Sequence, residues 1–144
     1  MSSRLSRILV AVDGSDHADR AYEHAMKLAT LAKSKVFVIT VVHATHLTGV
    51  DKKVIQQIIK QMEVSAKILL NKYSMDAYSK HRVEIETILA HGYPQDVIID
   101  TAKQKDADLI ILGSRGLSGM KEMFLGSVSL AVVRNASIPV LVTK

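Results

Sequence analysis

Apolar residues fall along this chain in two alternating rhythms, and the alternation predicts the architecture. Ile8 to Val12 (ILVAV) is a short unbroken apolar run between a basic start and the turn-like DGS, the pattern of a strand buried on both faces. Behind it Ala18, Ala21, Tyr22, Ala25, Leu28, Ala29 and Ala32 recur at helical spacing with charged residues between them. A helix follows, with Ser15 or Asp16 placed to cap it. Val36 to Val42 (VFVITVV) repeats the strand pattern in branched residues and ends at the polar HATHLTGVDK. From Val50 to about Tyr73, Val54, Ile55, Ile58, Ile59, Met62, Ala66, Leu69 and Leu70 mark the inner face of a long amphipathic helix. Lys53, Gln57, Lys60, Gln61 and Lys67 mark its outer face.

Arg82 to Ala90 (RVEIETILA) alternates more strictly, with Val83, Ile85, Thr87 and Leu89 on one side and Glu84 and Glu86 on the other, which predicts a partly exposed strand at a sheet edge. In HGYPQD, Pro94 sits where a first helical turn tolerates it, and Val97, Ile98 and Ala102 give the inner face of a helix reaching Lys105. Leu109 to Leu112 reads as a short buried strand, SVSLAVVRNA as a helix, and Ile138 to Thr143 (IPVLVT) as the last strand. Continuously apolar strands alternating with helices predict a single-domain α/β fold over residues 1–144. Its open, mostly parallel five-stranded sheet is covered on both faces and runs most simply in the order 3-2-1-4-5, in the Rossmann-like manner. No second core, repeat or low-complexity linker interrupts it.

Composition narrows the function. A chain of 144 residues suits one core and buries roughly 68 to 70% of its unfolded surface. No apolar run approaches the roughly 20 residues needed to cross a bilayer, and the N-terminal run is shorter than a typical signal-peptide core. With no cysteine, disulfide and thiolate chemistry are excluded, and a soluble cytoplasmic protein is expected. The formal charge of +5 is scattered, and the two phenylalanines and four tyrosines form no basic-aromatic platform. Nucleic acid is therefore a poor expectation, while small anions such as phosphates suit the field.

In open sheets of this kind ligands bind beyond the carboxyl ends of the strands, at the switch point between oppositely wound connections. In the order 3-2-1-4-5 that point lies between strands one and four. Their outgoing loops are DGS and GSRGLSGMKEMFLGS, the second holding four of the chain's seven glycines. Gly113 and Gly116 permit positive φ and lack the Cβ that would hold a ligand away from amide groups. Gly126 and Ser127 open the next helix, whose unpaired N–H groups favour an anion by about 0.3 to 1 kcal/mol per charge. Ser127 and Ser129 add hydroxyl donors, and LSGMKEMFL would close over or beside a polyphosphate. A plain helix C-cap and N-cap in a surface loop is the competing account. Neither GxxxxGK[ST] nor GxGxxG is present, which argues against an ordinary P-loop ATPase and a dinucleotide dehydrogenase.

The spacing G-x2-G-x9-G-S over Gly113, Gly116, Gly126 and Ser127 resembles the nucleotide-binding signature of the universal stress protein family. RILVAVDGSDHADRAYEHA resembles that family's opening strand and helix, VITVV its second strand, and ADLIILGSRG with IPVLV its closing half, so the likeness covers essentially the whole chain. The resemblance implies ATP bound between strands one and four. Ala11, Val12, Asp13 and Val41 would hold adenine and ribose. Gly113, Arg115, Gly116, Gly126, Ser127, Val128 and Ser129 would surround ribose and phosphates.

Asp13 accepts from a ribose or adenine donor on this reading, or forms an Asx turn into the first helix; Arg115 contacts phosphate or is solvated, and Lys121 is solvated rather than catalytic. The spacings of His43 with His46 and of His17 with His24 define no protein-only metal site, although magnesium or manganese could arrive on the phosphates. No catalytic residue is assigned: no Ser-His-Asp order stands out, and no carboxylate is evidently placed to orient an attacking water. A nucleotide-dependent regulatory or stress-response protein is the leading expectation. A slow ATPase or adenylate-handling hydrolase, and a dimeric interaction module without ligand, are the alternatives. Pro139 suits an edge strand, but Val140, Leu141 and Val142 are too apolar to stand unprotected there. Pairing of Ile138 to Thr143 with a second copy across a twofold axis is the simplest remedy and the family's usual dimer; cover by the chain's own loops is the other.

Overall fold

Side-chain parity along the strands divides the interior into two cores. The computed structural model describes residues 4–44, 49–116 and 125–144. Strands β1 (Arg7–Ala11), β2 (Lys35–Val42), β3 (Ile85–His91), β4 (Leu109–Gly113) and β5 (Val140–Thr143) pair in parallel in the order β3-β2-β1-β4-β5. Ile8, Val10, Val36, Val38 and Ile111 point to the face covered by α1 (Asp16–Ala32) and α2 (Lys52–Asp76). Leu9, Phe37, Ile39, Ile110 and Leu112 point to the face covered by α3 (Pro94–Gln104) and α4 (Ser127–Asn135). Because both faces are dry, the central strands are unbroken apolar runs, each fully buried large side chain contributing about 1.5 to 3 kcal/mol. Alanines 18, 21, 25 and 29 form the buried stripe of α1, so that helix lies close against the sheet.

β3 departs from the expected pattern. Ile85 and Leu89 pack into the α1–α2 core as their spacing predicts, but Thr87 is exposed, and Ile88 and Ala90 pack into the opposite core. Glu86 shares that second side and reaches Lys105 at 2.9 Å and Lys35 at 3.5 Å. An edge strand of a doubly covered sheet has a wet edge, not a wet face. The strand also starts at Ile85, because Arg82 takes a left-handed conformation (φ 55°) to end a π turn over Ala77–His81.

The long second helix is real but buries less than its pattern promises: Ala66, Leu70 and Tyr73 are its buried residues, and Val54 is 44% exposed. At about 1.5 Å per residue its 25 residues outrun the eight of β2, at about 3.3 Å each, by roughly 10 Å. Its first two turns or so overhang the carboxyl end of the sheet. Among the described residues no helix is long and apolar enough to cross a membrane.

Two phenol rings tilted 45° to each other join α1 to α2. The rings of Tyr22 and Tyr73 lie 4.5 Å apart. Tyr22 donates to Asp76 Oδ2 at 2.8 Å, and Tyr73 donates to Asp19. Burial first, and the accepting carboxylates second, push both hydroxyls well above the usual tyrosine range. Their contribution is therefore complete below about pH 10, where the unfolded chain still holds its phenolic protons, and is lost as pH rises beyond it. Urea midpoints are expected to fall between pH 9 and 11, and less steeply in Tyr22→Phe than in the parent. Equal slopes would remove the phenol from the alkaline loss.

Candidate functional site

The order places β1 beside β4, so the loops leaving their carboxyl ends emerge together. After β1, Val12 N–H donates to Ile39 O at 2.9 Å and Asp13 Oδ1 accepts from Ser15 N–H at 3.0 Å. This is the Asx turn into α1 that the sequence allows, with Gly14 at φ +89° completing the reversal. Ser15 Oγ then caps α1, accepting from Ala18 N–H at 3.1 Å.

The second loop is organised by a residue the sequence reading passed over. Ser114, 4% exposed, donates its N–H to Thr143 O at 2.7 Å, and its carbonyl accepts from Gly126 N–H at 2.6 Å and Ser129 Oγ at 3.0 Å. Its own Oγ lies 3.2 Å from His17 Nδ1 on α1, and Thr143 Oγ1 donates to His17 O at 3.3 Å. Ser114 thus ties β4, β5, α1 and the start of α4 into one frame. Nothing in its type or spacing marked it, because its partners are scattered along the chain.

The glycines act differently from the expectation. Neither Gly113 nor Gly116 has positive φ, and Gly126 is extended at φ −67°. What they lack is bulk. A Cβ on Gly113 would stand 2.7 Å from His17 Cβ and 2.9 Å from its carbonyl carbon, so this glycine seats the first turn of α1 against β4. A Cβ on Gly116 would stand 2.6 Å from Asp13 Oδ2, which brings the two outgoing loops into contact. Gly126 is tighter than ordinary packing toward Ser114 O, at 3.3 Å.

The remaining expected residues spread around this junction. Ala11 and Val41 pack at the carboxyl ends of β1 and β2 on the α3–α4 side, whereas Val12 is buried in the opposite core and offers the junction only its main chain. Arg115 is half-buried, and Ser127 is exposed on the first turn of α4. Ser129 was expected to offer a hydroxyl donor. Instead it is 3% exposed and gives its hydrogen to the Ser114 and Gly126 carbonyls, so it braces the loop. Among the described residues no side chain caps α4, which leaves its leading amides, Ser127 and Val128 among them, without intrahelical acceptors and at the positive end of the helix dipole. The expected closure by LSGMKEMFL, including Lys121, and His46 fall largely or wholly outside the described residues. A hollow of about 250 Å³, lined in part by Ala102, Ala107, Ala136 and Ile138, lies at the amino ends of β4 and β5. That is the wrong end of such a sheet for its ligand, and the converging loops define the candidate site.

The sequence profile of the Universal stress protein family matches residues 5–144. The chain belongs to this family. Universal stress protein YxiE of Bacillus subtilis is 36% identical over 148 aligned residues, covering 96% of this chain and 99% of that one. Universal stress protein UspA from Lactobacillus plantarum has a similar structure, with TM-score 0.90, 28% identity and coverage of 99% and 100% of the two chains. The universal stress protein from Archaeoglobus fulgidus in complex with dAMP is similar at TM-score 0.70 and 27% identity, covering 96% of this chain and 98% of that one.

Proposed function

We propose that this universal stress protein, with residues 1–144 acting as one nucleotide-binding domain, binds ATP at the junction of the β1 and β4 loops. Occupancy there regulates what a partner encounters. The observation that carries the proposal is the meeting of Asp13 with Gly116 beside the start of α4, which no side chain caps among the described residues. One loop supplies a carboxylate suited to a ribose or adenine donor, and the other a Cβ-free approach to main-chain amides that favour anions. The dAMP complex of the Archaeoglobus fulgidus relative supports adenine and phosphate as the recognised chemistry.

The residues fit such a ligand. Ala11, Val12, Asp13 and Val41 would bound adenine and ribose. Gly113, Arg115, Gly116, Gly126, Ser127 and Val128 would surround the phosphates, with Ser129 holding their loop in shape. Magnesium or manganese would ride on the phosphate oxygens, as such ions do where the protein gives few ligands. In the same reading two copies pair through the outer edge of β5, covering Leu141, which is 36% exposed.

Mass analysis of the small molecule released from purified, denatured protein tests this directly. An adenine nucleotide is expected. In nucleotide-stripped protein, ATP with magnesium at about 100 times Kd is expected to stabilise the fold by about 2.7 kcal/mol, read as a raised Tm. No nucleotide recovered, together with an unchanged Tm, would overturn the proposal.

A further inference from the structure

Away from the loop junction, the end of α2 brings Asp76 and His81, five residues apart, beside Glu23 of α1, more than fifty residues earlier in the chain. The π turn over Ala77–His81 widens the helix, a distortion often found at functional positions, and turns the His81 ring back toward Asp76 and across to Glu23 on α1. His81 Nε2 lies 3.6 Å from Glu23 Oε2 and 3.7 Å from Asp76 Oδ2. One ligand-capable atom from each of the three residues falls within 4.8 Å of the others.

The separations are those of a shared cation better than those of a hydrogen bond. An N–H···O bond closes to about 2.7 to 3.2 Å, yet Nε2 stays outside that range from both carboxylates. It is also shut off from solvent and has no hydrogen-bond partner among the described residues. Around a tetrahedral ion with bonds of about 2.0 to 2.1 Å, neighbouring ligand atoms sit roughly 3.3 to 3.4 Å apart, so small side-chain movements suffice to close the set. The carboxylate is already oriented: Tyr22 donates to Asp76 Oδ2 at 2.8 Å, and Lys80 Nζ lies 3.1 Å from Oδ1. Glu23, half exposed, leaves a side open for water and for entry.

We propose that Glu23, Asp76 and His81 form a binding site for a divalent transition ion of the zinc class, through Nε2 and one oxygen of each carboxylate, with water completing the shell. The site is separate from the nucleotide junction and needs no nucleotide. Tyr22 is its positioning residue.

Equilibrium dialysis of the nucleotide-stripped full chain against zinc chloride, with the metal counted by atomic spectroscopy, gives the first reading. One zinc per chain is expected, bound at least about tenfold more weakly by His81→Gln and Glu23→Gln, and about 10- to 100-fold more weakly by Tyr22→Phe, which removes only the orienting hydrogen bond. The imidazole nitrogen NMR spectrum of the parent gives the second reading and needs no variant to fold. Zinc should move the Nε2 resonance of His81 ahead of those of the other five histidines. No zinc retained, equal binding by His81→Gln, or a His81 resonance that stays in place while others move would overturn the assignment.

Discussion

Gly116→Val is expected to weaken ATP binding by at least about 100-fold while leaving the fold intact. The new Cβ would stand 2.6 Å from Asp13 Oδ2, with Asp13 Cγ lying back at 3.9 Å. Among the described residues the substitution therefore meets one carboxylate and no wall of backbone. Relief comes from swinging Asp13 aside or withdrawing the loop, and either movement separates the two halves of the proposed cradle. A hundredfold loss corresponds to about 2.8 kcal/mol. Because Gly116 is half-buried in a loop and outside both cores, the stability change should stay within about 1 kcal/mol. Calorimetric titration beside a thermal melt reads both quantities. Parental affinity in this variant would mean that the junction is not where the nucleotide sits.

Gly113→Ala is expected to do the reverse, lowering stability more than any single methyl on the loop surface. Here the obstacles are His17 Cβ at 2.7 Å, its carbonyl carbon at 2.9 Å and its carbonyl oxygen at 3.0 Å. None is the far end of a flexible chain. The first turn of α1 would have to lift from β4, straining the Ser114–His17 contact and the Thr143 bond to His17 O. Overpacking of this kind costs about 3 kcal/mol at the upper end of its usual range, a fall in Tm on the order of 10 °C for a chain of this size. A melt unchanged to within about 2 °C would show that α1 does not rest on this glycine.

These two glycines also show what the sequence can and cannot reveal. Strand and helix order, the sheet order and the adjacency of the β1 and β4 loops were legible because a doubly covered parallel sheet writes itself as apolar runs separated by helical periods. The junction was legible as a cluster of glycines at the expected end of the sheet. Why each position is glycine was not: backbone freedom was the local explanation, whereas the structure shows long-range contact with His17 and Asp13. Ser129 read as a free donor for the same reason, since its acceptors are the carbonyls of Gly126 and Ser114. The overhang of α2 escaped because periodicity reports a face and says nothing of how much sheet lies beneath it. Asp76 and His81 lie five residues apart, a spacing that meets only across a π turn, and Glu23 joins them only through the pairing of α1 with the end of α2.

The most direct test of the shared cradle is an amide correlation spectrum of the full chain titrated with ATP and magnesium. Asp13, Gly116, Ser127 and Val128 are predicted to shift together along one saturation curve, while Ala107, Ala136 and Ile138 at the opposite end of the sheet stay in place. Shifts confined to one of the two loops, or gathered at that opposite end, would contradict it.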